Sequence, residues 1–274
     1  MSRTALNRTA IIAGEGRLAP LVAAALDAPL VHALEGFVPP IPATPFRLER
    51  LIPFLDHLIE AGVSRVVFAG AVRRPRLDPE AFDPRTAQLV PRILQAMQSG
   101  DDAALRTVLD IFEEHGLTIS SVAEICPDLV PQAGILSGAP SEADQSDATR
   151  AAQILSATGV LDLGQGAVVA QGLCLALETL PGTAAMLDFA ARHAGLRPNP
   201  AGARGVFYKA PKPGQDRRID LPTLGPDSIT QAAAAGLAGI AFEAGGVILL
   251  DRDEAVRRAD AAGLFLWAMP PYAG

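Results

Sequence analysis

The segment from residue 209 to residue 223, KAPKPGQDRRIDLPT, holds four cations and two carboxylates within an otherwise apolar half of the chain. Lysine and arginine side chains can neutralise a diphosphate, and an aspartate can hold a divalent cation that activates water or polarises a phosphoryl oxygen. A solvated turn with internal ion pairs explains the same residues equally well. Spacing does not decide whether Asp216 or Asp220 would act.

A second set of acidic and amide side chains flanks the apolar runs that predict buried strands in the second half of the chain. Its members are Asp162, Gln165, Glu178, Glu243 and Asp251. A buried carboxylate is costly unless it is paired or bound to a metal, so convergence of some of these groups on a cation is one hypothesis. Turn capping and surface placement explain each of them singly.

A glycine turn follows the first apolar run. Gly14 and Gly16 allow the backbone to approach a ligand closely, and the helix predicted after them would offer its positive end to a phosphate. The pattern matches only the first two glycines of a dinucleotide fingerprint and lacks the lysine of a phosphate-binding P-loop. Nucleotide binding and a tight strand-to-helix turn therefore explain it equally well.

Other reaction classes lack their residues. The four histidines show neither triad order nor metal spacing, Cys126 and Cys174 form no CxxC pair, and no Gly-x-Ser-x-Gly elbow occurs. With 5% aromatic residues, a net charge of −7 and no basic run, the chain is not expected to bind nucleic acid. We expect a cytoplasmic location, because neither a secretory leader nor a disulfide framework is indicated.

One apolar segment, residues 231–250, is long enough to span a membrane and has Glu243 as its one ionisable residue. Gly245 and Gly246 would break such a helix, and Glu243 would lie within the hydrocarbon. The composition instead predicts a helix, a turn and two short buried strands.

The elements that would position these residues alternate between apolar runs and amphipathic segments. In the first half, the pattern predicts strands at 9–13, 30–33 and 63–69, and helices at 17–26 and 47–61. This is βαβ spacing, which favours a parallel, Rossmann-like sheet. Two further helices, 86–97 and 101–115, precede a short strand near 117–119.

The second half begins after a segment, 126–138, that has no periodicity and several prolines and glycines. A helix at 141–158, a hairpin turning at Gln171-Gly172 and later alternating elements follow. We therefore predict an α/β protein with a Rossmann-like domain at 1–130, a Pro/Gly-rich linker at 131–140 and a distinct α/β domain at 141–274 that carries the charged loop.

Several stretches together resemble one family, the UDP-2,3-diacylglucosamine pyrophosphatases of the LpxI type. The resemblance spans nearly the whole chain and rests on residues 12–20 (IAGEGRLAP), 100–102 (GDD), 161–169 (LDLGQGAVV), Glu178, Gly182-Thr183, 209–222 and 235–245 (AGLAGIAFEAG). The segment 209–222 is the most specific part. One departure is Ala184, where the family often has an aspartate.

The resemblance implies a lipid A biosynthesis enzyme that cleaves the diphosphate of UDP-2,3-diacylglucosamine. Water attack with Mg²⁺ or a similar divalent ion would yield UMP and 2,3-diacylglucosamine 1-phosphate, known as lipid X. The resemblance also leaves room for peripheral contact with the inner membrane and for a homo-oligomer. The alternative is a nucleotide-sugar or lipid-binding protein without catalysis.

Residue roles follow from the same resemblance. Asp220 is expected to be a metal ligand or the base that orients water, and Lys209 is expected to act with it in catalysis. Metal ligation is also assigned to Glu178 and Glu243. The residues expected to bind substrate are Gly14 and Gly16, facing the nucleotide, and Gln165, Thr183, Lys212, Gln215, Arg217 and Arg218.

Overall fold

The structure is a computed structural model that describes residues 8–73, 75–98 and 101–273, without the side chains of residues 101 and 102. Contacts between Cα atoms divide the chain into two compact units between Pro127 and Asp128. We call them the N-terminal unit and the C-terminal unit and describe each by itself.

Strands and helices alternate through the N-terminal unit. Its elements are β1 (Arg8–Ala13), α1 (Leu18–Ala24), β2 (Leu30–Leu34), β3 (Thr44–Phe46), α2 (Leu51–Glu60), β4 (Val63–Ala69), α3 (Pro84–Ala87), α4 (Val90–Gln98), α5 (Asp101–Glu114), β5 (Thr118–Ser120) and α6 (Val122–Ile125). Within the described residues, the strands form one parallel sheet in the order β3-β2-β1-β4-β5. This is the doubly wound order, and it confirms the Rossmann-like prediction.

The helix predicted at 47–61 is shorter in the structure than its apolar periodicity suggests. Residues Leu48–Arg50 form a 3₁₀ turn, and α2 begins at Leu51. Pro53 explains the difference, because proline has no N–H and is tolerated only in the first turn of an α-helix. The Ile52 amide donates instead to Thr86 Oγ1 at 3.0 Å.

The C-terminal unit is built on a mixed sheet. Its elements are β6 (Gly134–Ser137), α7 (Glu142–Gly159), β7 (Gly166–Ala170), β8 (Leu173–Leu177), α8 (Gly182–Arg192), β9 (Val206–Lys209), β10 (Thr223–Leu224), α9 (Pro226–Ala234), β11 (Gly239–Glu243), β12 (Ile248–Leu249), α10 (Arg252–Ala262) and β13 (Phe265–Met269). In the described part of the chain the sheet order is β6-β13-β11-β9-β7-β8. β9, β11 and β13 are parallel, and β6 and β7 run antiparallel to their neighbours.

The hairpin of β7 and β8 turns at Gln171 and Gly172, as predicted. Both residues have positive φ, +54° and +78°, which is the conformation of a two-residue hairpin turn. The Asp147 carboxylate on α7 accepts hydrogen bonds from both turn amides, at 2.9 and 2.7 Å. The turn is therefore fixed by side-chain capping as well as by its own geometry.

The segment 131–140, which the sequence predicts as a linker, contains the edge strand β6. This strand pairs antiparallel with β13, so these residues are part of the C-terminal sheet. The short run Gly134–Ser137 has little alternation, and its pairing partner lies about half the chain away in sequence. A pattern read locally therefore misses it.

The segment 231–250 folds as the sequence predicts, into the end of α9, a turn and the strands β11 and β12. Across residues 8–73, 75–98 and 101–273, no helix is both long and apolar enough to cross a membrane.

One edge of the C-terminal sheet collects the candidate residues. β9 ends at Lys209 and β11 ends at Glu243, and these strands are parallel. Gly166, the first residue of the antiparallel β7, pairs with Lys209, and β8 ends nearby at Leu177. The carboxyl ends of parallel strands are where α/β folds place their ligand sites.

Candidate functional site

Lys209 lies at the carboxyl end of β9 and is buried, with 4% of its surface exposed. Its ammonium donates to Thr183 Oγ1 at 2.5 Å and lies 3.4 Å from Glu178 Oε2. Thr183 in turn donates to Glu178 Oε1 at 2.8 Å. Burial lowers the pKa of Lys209 below its usual range, and Glu178 opposes that shift by favouring the charged form.

Gly166 makes room for this group. A Cβ at this position would lie 2.6 Å from Glu178 Oε2 and 3.0 Å from the Phe207 ring. Any larger residue would therefore push Glu178 away from Lys209. Packing beside Glu178 therefore requires glycine at position 166 in the run LDLGQGAVV, and this requirement comes from the site itself.

Gln215 organises the charged loop that follows β9. Its amide nitrogen donates to the Asp220 backbone carbonyl at 2.6 Å and to Asp220 Oδ2. Its amide oxygen accepts from the Lys212 backbone N–H at 2.8 Å and from Gln165 Nε2 at 3.0 Å. Gln215 is buried, and these four contacts tie the two ends of the loop together. One of them holds the carboxylate of Asp220 in place.

The remaining cations of the loop each contact a carboxylate. Lys212 pairs with Asp162, and Arg218 pairs with Asp216 through Nη2 and Oδ2 at 2.7 Å. Arg217 Nη2 lies 2.7 Å from Oε1 of the buried Glu243. The internal ion pairs that the sequence leaves open as an explanation are therefore present, and they shape the loop around Asp220.

The expected metal set, Asp220 with Glu178 and Glu243, does not form a ligand cluster. Glu178 contacts Lys209, Glu243 contacts Arg217, and Asp220 contacts Gln215. Among the described residues no three His, Cys, Asp or Glu side chains are grouped so that they could hold a metal ion. Spacing in the sequence cannot anticipate this, because each carboxylate meets a cation or amide rather than another acid.

A magnesium site does not require such a cluster. Mg²⁺ is often held by one or two carboxylates together with the phosphates of a substrate. Asp220 fits this mode, since it is half-buried and its orientation is fixed by Gln215.

The glycine turn belongs to the N-terminal unit. A Cβ on Gly14 would lie 2.5 Å from the Ala71 carbonyl oxygen and 2.6 Å from Gly70 C, so glycine is required by backbone packing alone. The Gly14 N–H donates to Ala69 O at 2.9 Å, and the next amide, of Glu15, donates to Ala71 O at 2.8 Å. At Gly16 the φ of +91° favours glycine, and an added Cβ would meet nothing within 4 Å.

Sequence reasoning missed two residues beside Glu243. Tyr208 is buried, and burial raises the pKa of its hydroxyl, an effect that Glu243 strengthens. A Cβ on Gly246 would lie 2.6 Å from Glu243 Oε1, so this glycine lets the chain pass over the carboxylate. In the sequence, the Gly245-Gly246 pair is the signal for this close approach, but the pattern predicts only a break in a helix.

Two further parts of the family motif are residues 100–102 and position 184. Gly100 and the side chains of Asp101 and Asp102 lie outside the described residues. Ala184 follows Thr183 in the first turn of α8, and the structure gives no role for it.

Comparisons with known proteins identify the family. The chain matches the family model of the LpxI N-terminal domain over residues 8–129 and that of the LpxI C-terminal domain over residues 132–267. It is 36% identical over 276 aligned positions to a protein of Caulobacter vibrioides named UDP-2,3-diacylglucosamine pyrophosphatase LpxI. That alignment covers 97% of this chain and 99% of its relative. The chain therefore belongs to the LpxI family.

Proposed function

We propose that this protein hydrolyses the diphosphate of UDP-2,3-diacylglucosamine to UMP and 2,3-diacylglucosamine 1-phosphate, lipid X. The observation that carries the proposal is the loop 210–222, in which Gln215 orients the carboxylate of Asp220 among cations at the carboxyl edge of the sheet. The name of the Caulobacter vibrioides relative, which aligns with nearly the whole chain, supports the same reaction.

The chemistry suits these groups. Hydrolysis of a diphosphate is an in-line displacement in which cations stabilise the charge that develops on the phosphoryl oxygens. Lys212, Arg217 and Arg218 would bind the diphosphate by exchanging their present carboxylate partners for phosphate oxygens. Asp220 would orient the attacking water or hold the metal ion, and Gln215 would keep it in position.

Lys209 has a different environment from the other cations. It is buried and already contacts Thr183 and Glu178, so its side-chain nitrogen would be held in a fixed position beside the substrate. We propose that Thr183 and Gln165 line the same part of the substrate site, and that the turn at Gly14 and Gly16 contacts the nucleotide.

We further propose that the reaction requires Mg²⁺ or a similar divalent ion, with Asp220 as the protein ligand. When bound, the ion would act as a Lewis acid on the phosphoryl group. A cytoplasmic location with at most peripheral membrane contact, and assembly into a homo-oligomer, stay predictions.

The deciding experiment is incubation of the purified protein with UDP-2,3-diacylglucosamine in detergent micelles, with Mg²⁺ or with EDTA. We expect equimolar UMP and lipid X in the presence of Mg²⁺ and neither product with EDTA. Binding of the substrate without release of UMP in either condition would favour the alternative, a nucleotide-sugar or lipid-binding protein. Release of UMP that EDTA does not reduce would retain the reaction and remove the metal.

A further inference from the structure

Two loops at the carboxyl edge of the C-terminal sheet expose aliphatic side chains. The first, residues 160–164 between α7 and β7, carries Val160 and Leu161 with 75% and 71% of their surface exposed, and also Leu163. The second, between β8 and α8, carries Leu180, which is fully exposed. We call these four residues the aliphatic patch.

The two loops touch each other and the charged loop. A Cβ on Gly164 would overlap the backbone carbonyl of Glu178, so the loop backbones are in direct contact there. A Cβ on Gly159 would lie 2.5 Å from Pro213 Cδ, and Asp162 pairs with Lys212. The aliphatic patch therefore borders the residues proposed to bind the diphosphate.

We propose that the aliphatic patch docks this protein on the surface of a lipid bilayer. The inference rests on the proposed function, because it takes the substrate to be a two-chain lipid. Every methylene of its acyl chains favours the membrane over water, so such a substrate stays in the bilayer until a protein reaches it. Aliphatic side chains beside the charged loop would bring the site to the headgroup layer where the diphosphate lies.

The backbone of these loops suits entry into a layer that is poor in water. The amides of Leu161 and Leu163 both donate to the Thr158 carbonyl, at 2.9 and 3.3 Å, and the Asp162 amide donates to Gly159 O at 3.0 Å. In the second loop the Gly182 amide donates to Thr179 O at 2.8 Å. These four donors would keep their partners on leaving water, which lowers the cost of inserting the two loops.

A second copy of the chain is a poorer occupant. Four side chains on two loop tips cover far less than the roughly 800 Å² per partner that a stable protein interface buries. A bilayer needs no complementary shape, so side chains at two loop tips can enter it without a matching partner surface.

The test uses co-sedimentation of the full chain with vesicles of phosphatidylcholine and phosphatidylglycerol that contain no substrate. The variant Leu161→Gln/Leu180→Gln replaces one exposed leucine in each loop with a polar side chain. Leu196→Gln is the matched control, because Leu196 is also 71% exposed but follows α8 at the opposite edge of the sheet. We expect about a tenfold loss of vesicle affinity for the double variant and no change for the control.

Hydrolysis is then compared for substrate in vesicles and substrate in detergent micelles. Docking predicts that the double variant loses activity on vesicles and keeps it on micelles. Equal loss on both would mean that the patch holds the acyl chains of a single substrate molecule and would overturn the proposal. Vesicle binding that is absent in the unmodified protein, or unchanged in the double variant, would also overturn it.

One outcome separates this inference from the proposed function, and another separates a bilayer from a protein partner. Vesicle binding that depends on the patch, in a protein that releases no UMP, would keep the docking surface and reject the reaction. A dimer that the double variant converts to a monomer in light scattering would assign the patch to a protein interface instead of a bilayer.

Discussion

The glycine turn at residues 14–16 and the charged loop at 210–222 are both predicted to contact substrate, but they are held by different forces. Around Gly14 the chain is fixed by backbone packing and by three backbone hydrogen bonds to the segment 69–71. The charged loop is fixed by side chains, chiefly Gln215 and the ion pair between Arg217 and Glu243.

The two regions therefore differ in the groups that they can offer to a ligand. The amides of Gly14 and Glu15 are already used, so they are not available for a phosphate unless the turn opens. The cations of the charged loop contact carboxylate side chains, so they can exchange one oxygen partner for another without opening the backbone. Substitutions in the turn should therefore act mainly on stability, and substitutions in the loop mainly on turnover.

The largest expected effect is that of Asp220→Asn. The change keeps the size of the side chain and removes its charge, so we expect kcat to fall by about a thousandfold or more while the fold is retained. The matched control is Asp227→Asn, on the exposed start of α9, which should keep full activity. UMP release and thermal unfolding of the three proteins check this, and turnover by Asp220→Asn within tenfold of the unmodified protein would reject the role of Asp220.

The next effect tests the other side of the comparison. Gly14→Ala would drive a Cβ to 2.5 Å from the Ala71 oxygen, and separating the two backbones should cost about 2–4 kcal/mol. Gly16→Ala meets no atom within 4 Å and should cost only about 1 kcal/mol, through its positive φ. Hydrogen exchange of peptides that cover β1 and β4 measures both.

The activity of the same two variants distinguishes a structural role of the turn from contact with the nucleotide. If the turn is purely structural, both variants should retain turnover in proportion to their folded fraction. A rise in KM for Gly16→Ala without loss of stability would instead support nucleotide contact at this turn.

The sequence predicts what depends on near neighbours. β4 has the predicted bounds, Val63–Ala69, and the turn at Gln171-Gly172 joins the predicted hairpin, because an apolar run and a turn dipeptide are local signals. β6 escaped prediction, since its pairing with β13 is a long-range contact.

The site divides in the same way. The density of charge locates the loop 210–222, and the family resemblance identifies the residues worth testing. The partners of Glu178 and Glu243 are separated from them by tens of residues, so their assignment as metal ligands could not be checked from spacing. Burial then favours pairing each carboxylate with a cation.

A smaller effect distinguishes two roles of Glu243, as the partner of Arg217 and as a metal ligand. As the partner of Arg217, Glu243 should act by holding the loop, so Glu243→Gln should raise KM about three- to tenfold and leave the Mg²⁺ concentration needed for activity unchanged. As a metal ligand, Glu243→Gln would raise that concentration. A double-mutant cycle with Arg217→Gln should give a coupling energy of about 1 kcal/mol, reduced by the exposure of Arg217.

The smallest effect concerns the N-terminal unit, where the protonation of one buried histidine changes the stability of the fold. His32 lies on β2, buried, with the Phe54 ring edge-on at 5.1 Å and His57 at 6.0 Å. Burial lowers the pKa of His32 and His57 lowers it further, while the nearby polar backbone of Thr44 opposes both. The folded unit therefore keeps His32 neutral where the unfolded chain would protonate it.

The sign follows from proton binding. Below about pH 6.5 the unfolded state binds more protons than the folded state, so stability falls as pH falls, by at most about 1.4 kcal/mol per pH unit for one histidine. His32→Phe should flatten this dependence for peptides of β1 and β2 in hydrogen exchange between pH 7.5 and pH 5, and His193→Asn, on the exposed end of α8, should not. Because the charged loop belongs to the other unit, exchange of its peptides should keep the same pH dependence in both variants, and a change there would show that the two regions are not independent.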